Sequence, residues 1–186
     1  MPQKVDLRPK HALILGRGWD PILDDEGNPQ LDADCCARVR KAADLFVRGE
    51  INRVWITTAY AAYAADYRTV FMADLMREML FQLYVPDECI EIRYEAMNTV
   101  GEIEVIAREL ASDPTALRFR VIACAPQVRR AVAIGFKRGW QIEGVPCGYR
   151  EPLKGQLTEL ALTLDVLFFG GAEQARYCNP PPKSVY

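Results

Sequence analysis

Short apolar runs and helix-period stripes alternate along this chain. Ala12-Leu13-Ile14-Leu15 is a continuous apolar run that stops at Gly16. After a turn-rich stretch from Gly18 to Gln30, a helix starts near Asp32 or Asp34, with Cys36, Val39, Ala43, Phe46 and Val47 on one face. It ends at Gly49, a residue suited to the left-handed position after a helix. Val54-Trp55-Ile56-Thr57 is the second strand. Tyr60 to Tyr67 reads either as a loop or as a helix start. Met72, Leu75, Met76, Met79, Leu80 and Leu83 then recur at helical spacing and stop before Pro86, a stripe that reads as core. Ile90 to Tyr94 alternates apolar with charged, and Ile103, Ile106, Ala107 and Leu110 mark the following helix. Phe119 to Cys124 is the fourth strand. Its helix carries Val128, Ala131, Val132 and Phe136 and closes at Gly139. Gln141 to Val145 is a short fifth strand, and Leu153 to Phe169 is the last helix, ending at Gly170-Gly171.

Repeated strand–helix units imply a parallel sheet with helices on both faces. Strands buried on both faces read as continuous apolar runs, whereas exposed edges alternate. Strands one, two and four are therefore central and strands three and five are edges. The predicted fold class is α/β: a Rossmann-like three-layer αβα sandwich with a mostly parallel five-stranded sheet of order 3-2-1-4-5. Its reversal point lies between strands one and four, and ligands are expected outside the carboxyl ends there. One domain over residues 1–176 and an extended, proline-bearing tail over 177–186 account for the chain of 186 residues.

Composition narrows the class without naming a function. Half the residues are hydrophobic and 26% are charged, as in soluble globular proteins. With a net charge of −2 and no dominant basic patch, extended nucleic-acid binding is disfavoured. The polar start lacks the apolar core of a signal peptide. The longest apolar tract, Leu160 to Phe169, contains Asp165 and is too short for a membrane span of roughly 20 residues. A cytoplasmic location is expected, with the six cysteines reduced. None forms a C-x-x-C pair and His11 is the single histidine, so no metal site is expected.

Four strand ends meet on one rim of this fold. Gly16-Arg17-Gly18-Trp19-Asp20 lets backbone amides approach an anion, with Arg17 to pair with it, or is simply a tight turn. Pro21 spoils a dinucleotide fingerprint. Thr57-Thr58-Ala59 offers hydroxyls at the second strand end, although threonine also suits strands in general. Thr99-Val100-Gly101-Glu102 fits a capping box, in which Thr99 accepts from the Glu102 amide and Glu102 reaches back to the Thr99 amide. Asn98 is left to meet a substrate or to cap the helix. Glu95 is left as a ligand acceptor, a general base or a solvated carboxylate. After strand four, Gln127 can hydrogen-bond, and Arg129 and Arg130 lie near the positive end of a helix dipole, where an anion would favour them. Arg130 is the expected rim cation.

These elements, in this order, resemble the DUF218 family (YdcF-, SanA- and ElyC-like proteins), from His11 to about Cys147. The resemblance rests on Leu13-Ile14-Leu15-Gly16, on the Arg38-to-Gly49 helix, and on Val85-Pro86 with Ile90. It rests further on Glu95, Asn98, Thr99 and Glu102, and on Arg130-Ala131. It implies a Rossmann-like fold with its site at the strand carboxyl ends, and S-adenosylmethionine as one candidate cofactor. Two departures stand out. Cys124-Ala125-Pro126-Gln127 replaces the family's Ser-x-x-His, so Gln127 supplies no proton shuttle near neutral pH. Thr57-Thr58-Ala59 replaces its Ser-Gly-Gly.

The leading expectation is a protein binding an anionic or nucleotide-like small molecule through Gly16, Arg17, Gly18, Thr58, Glu95, Asn98, Thr99, Gln127 and Arg130. A second is a hydrolase or transferase for a phosphorylated or nucleotide substrate, with Glu95 or Asp20 as base. A third is a non-catalytic interaction protein using the Tyr60–Tyr67 segment or the tail.

Overall fold

The computed structural model describes residues 10–16, 22–111 and 118–169. Arg17, Gly18 and Asp20, the ends of the expected domain and the 177–186 tail lie outside these residues. Five parallel strands form the sheet: β1 (His11–Ile14), β4 (Arg53–Thr58), β7 (Ile90–Ala96), β8 (Arg118–Ala123) and β9 (Gln141–Pro146). Their order is β7-β4-β1-β8-β9, the 3-2-1-4-5 arrangement expected from burial of the apolar runs. In register, His11–Ile14 lies between Arg53–Ile56 and Phe119–Ile122.

The alternation of β1 serves two cores at once. Ala12 and Ile14 face a cluster under α1 (Ala33–Val47) and α2 (Met72–Gln82), with Val39, Met72, Met76 and Leu80. Leu13 and Leu15 face a second cluster under α3 (Thr99–Glu109), α4 (Ala125–Arg138) and α5 (Leu153–Phe169), with Ile103, Ile106, Ala131 and Val166. A strand buried on both sides needs side chains that are apolar at every position, which is why the run is unbroken.

Two small hairpins fill stretches that periodicity alone left irregular. β2 (Ile22–Leu23) pairs with β3 (Pro29–Gln30). β5 (Ala61–Tyr63) pairs with β6 (Thr69–Phe71), which resolves the ambiguous tyrosine-rich segment as a hairpin. Tyr63 and Tyr67 are exposed on it. On α1 the expected face shifts by one position. Asp34, Cys35, Arg38 and Ala42 join Val39 and Ala43 inside, whereas Val47 is 68% exposed in the last turn. Gly49 has φ +67°, the left-handed geometry expected of it.

α4 lies close on β9 because each element contributes a glycine to the contact. A Cβ at Gly144 would stand 2.3 Å from Val128 Cγ1, and one at Gly135 would stand 2.7 Å from Ile142. Gly144→Ala is expected to destabilise the fold by about 1–3 kcal/mol through overpacking. The loss should shrink in the Gly144→Ala, Val128→Ala double variant. Urea unfolding of all four members of that cycle checks it, and a fully additive cycle counts against the contact.

Candidate functional site

The carboxyl end of β1 is gripped by three helices. From α1, Arg38 donates through Nη1 to the Leu15 carbonyl at 2.6 Å and to the Gly16 carbonyl at 3.4 Å. From α3, Glu102 Oε1 accepts from the Gly16 N–H at 2.6 Å. From α4, Gln127 Nε2 donates to the Gly16 carbonyl at 3.0 Å. All three side chains are buried, Arg38 completely. Where the chain leaves the sheet, backbone groups lose their ladder partners, and inside a protein they must find others. Glycine is required at this point. A Cβ on residue 16 would sit 2.5 Å from Glu102 Oε1, 2.6 Å from Thr58 Oγ1 and 2.8 Å from Thr58 Cβ.

A second layer of bonds ties these groups together. Thr99 Oγ1 accepts from Arg130 Nη2 at 2.6 Å and from Gln127 Nε2 at 3.0 Å. Arg130 Nε lies 3.1 Å from Glu159 on α5. Thr57 Oγ1 donates to the Glu102 carbonyl at 3.3 Å, and Thr58 Oγ1 accepts from the Tyr60 amide at 3.4 Å. The two threonines are fully buried.

The expected capping box is corrected by this geometry. Asn98, in extended conformation, is the N-cap of α3, and its side chain accepts from the Gly101 amide at 2.9 Å. Asn and Thr both cap well, and here Asn98 takes the cap, one residue earlier than expected. Thr99 thus becomes the first helical residue and turns inward to Arg130 and Gln127. Glu102 reaches the Gly16 amide in another element instead of its own helix terminus.

The remaining expected residues separate in space. Glu95 is exposed near the end of β7 and pairs with Arg108 at 2.6 Å. Gly16, Thr58, Thr99, Gln127 and Arg130 come together through the contacts above. Arg130 is 7% exposed and engaged by Thr99 and Glu159. Its neighbour Arg129 is exposed and lines a cavity of about 280 Å³ with Pro126, Tyr149, Arg150, Glu151 and Gln156. That cavity lies at the carboxyl ends of β8 and β9, beside the amino end of α4. α4 begins with Pro126 in its first turn and has no side-chain cap.

Burial sets the protonation states. Desolvation pushes Glu102 up to about 8, against the opposing pull of the Gly16 hydrogen bond, Arg38 and Arg130. At neutral pH it is largely protonated. With Oε1 accepting from Gly16, the proton belongs on Oε2, which has no hydrogen bond among the described residues. Burial opposes the charge on Arg38, but its hydrogen bonds to both Asp34 oxygens, at 2.9 and 2.5 Å, and the Asp34 charge prevail and raise its pKa. Burial lowers the pKa of Arg130. Cys124 is pushed up to about 11, chiefly by burial, so it is a thiol at neutral pH.

Among the described residues, Asp34, Cys124 and Glu151 place one donor atom each within 4.8 Å of one another, all buried. Both Asp34 oxygens already accept from Arg38, so Asp34 is a compensated member of the group, with the Cys124 thiol and the buried Glu151 carboxyl beside it. Asp34, expected only as a helix start, and its pairing with Arg38 stand outside the residues expected at the site. The signal was present as an i, i+4 Asp–Arg pair at the start of an apolar helix face.

Comparison with protein-family models, with curated proteins and with solved structures returns no significant match.

Glu102 binds its proton more tightly in the folded than in the unfolded chain. Its contribution to stability is therefore complete below the unfolded value near 4.5 and is lost as pH rises through about 8. Glu102→Gln, which keeps an acceptor for Gly16 and cannot ionise, is expected to flatten this decline by a few kcal/mol, roughly. Denaturant unfolding at pH 5 and pH 8.5 checks it. Parallel pH curves for the two proteins would contradict the raised pKa.

Proposed function

We propose that the protein binds a small anionic or nucleotide-like molecule at the carboxyl rim of the sheet. The observation that carries this reading is the cavity of about 280 Å³ at the ends of β8 and β9, where Arg129 and Arg150 flank the uncapped amino end of α4. The positive end of the α4 dipole and two exposed guanidinium groups favour the same sign of ligand charge. Tyr149 and Gln156 add hydrogen-bonding groups. Within the expected pair of arginines the ligand contact passes to Arg129, because Arg130 is engaged beneath the rim. Gly16, Thr58, Thr99 and Gln127 act as support: they hold the strand end from which the rim is built. The position agrees with the site that the DUF218 resemblance implies, and S-adenosylmethionine belongs among the probes for that reason.

Isothermal titration with ATP, inorganic phosphate and S-adenosylmethionine tests the reading. At least one is expected to bind, with affinity reduced tenfold or more by Arg129→Ala combined with Arg150→Ala and left within twofold by Glu95→Gln. No binding by any of the three, or binding indifferent to the arginine pair, would reject it.

A further inference from the structure

α5 is apolar on two opposite faces. At about 100° of rotation per residue, Gly155, Glu159, Leu162 and Val166 share one face. That face meets the rest of the protein: Val166 is buried in one core with Ala131 and Ile134 of α4, and Glu159 pairs with Arg130. Leu153, Leu157, Leu160, Leu164 and Leu167 share the other face, with Phe168 at its margin. They are 71, 58, 56, 44 and 36% exposed, and Phe168 is 75% exposed.

The leucines follow one another at intervals of four, three, four and three residues. That is the heptad spacing by which one helix inserts its side chains between those of another. A large aromatic residue buries roughly 150–250 Å², and leucine is smaller. Scaled by the exposures above, the six residues present on the order of 600 Å². This stands at the top of the ~300–600 Å² of the largest apolar patch on an ordinary monomer. It meets the lower end of the roughly 600–1,000 Å² per partner that a specific interface buries.

We propose that this face is covered by the same face of a second copy of the chain, in a two-fold dimer built on α5. A heptad seam is complementary to itself, so a two-fold axis brings each leucine row against its equivalent. The positions beside the seam carry a single charge, with Gln156 and Thr163 on one side and Lys154 and Ala161 on the other. A like copy therefore meets little repulsion. Lys154 is the single cation between Leu153 and Phe169, against Glu159 and Asp165. The helix thus lacks the basic face that holds an amphipathic helix on an anionic bilayer. On its inner face the same helix presents Glu159 to Arg130, so dimerisation steadies the element that holds the buried arginine beneath the rim.

Sedimentation equilibrium of the full chain tests the proposal. The expected mass is twice 21.0 kDa, falling to a single chain in Leu157→Asp combined with Leu164→Asp, with an unchanged circular dichroism spectrum. Should that double variant fail to fold, Leu160→Gln is expected to raise the dimer dissociation constant at least tenfold in a folded protein. A full chain that stays at 21.0 kDa throughout the micromolar range overturns the proposal. So does a monomer that pellets with phosphatidylserine vesicles, which would assign the face to a bilayer. A dimer unaffected by these substitutions overturns it as well, placing the interface elsewhere.

Discussion

The backbone of two residues, Leu15 and Gly16, constrains the rest of this fold. The central strand ends there, and the chain must turn out of the sheet while still buried. Its two carbonyls and the Gly16 amide are satisfied by Arg38, Glu102 and Gln127, one side chain from each of α1, α3 and α4. Leaving any of these backbone groups unpaired in the interior would cost about 1–3 kcal/mol. Each helix is therefore positioned by a polar contact to the same point, as well as by its apolar face.

That constraint shapes what the rim can do. In open α/β sheets the amides after the first strand commonly receive an anion at the reversal point. Here the Gly16 amide is met by the protein's own Glu102 carboxyl, so the chemistry there is internal. The exposed guanidinium groups lie one strand further along, where Arg129 and Arg150 border a cavity beside α4. The buried charges largely compensate one another: Arg38 with Asp34, and Arg130 with Glu159. Glu102 escapes the need for a partner charge by holding its proton. Buried polar clusters of this kind are tolerable when their members are bonded to one another, and Thr99, accepting from both Arg130 and Gln127, joins the α3 and α4 contributions.

The helix layers are not equivalent. α1 and α2 cover one face of the sheet with a closed core around Met72, Met76 and Leu80. α5 is stacked on the other side against α4, and its outward leucines have no covering element among the described residues. The layer that holds the Arg130–Glu159 pair beneath the rim is thus also the layer with an unfinished apolar surface.

Much of the architecture was legible along the chain. Apolar runs at β1 and β4, the mostly apolar run at β8 and the alternation in β7 point to which strands are central, because burial on two faces admits few polar residues. Helix ends at Gly49 and Gly139 follow from the left-handed backbone that glycine takes most easily. The polar positions are different. Thr99 and Glu102 carry a local capping pattern, and Asn98 carries an equally good one; nothing within those five residues chooses between them. The choice is made by groups far away in sequence, the Gly16 amide and the Arg130 guanidinium, which exist as neighbours only after the sheet closes. The same holds for Arg129 and Arg130, adjacent in the chain yet turned by helical rotation to a cavity and to a buried pair. Periodic burial is a local property and is written in the sequence. The partners of a buried polar group are supplied by other elements, and only the tertiary structure decides them.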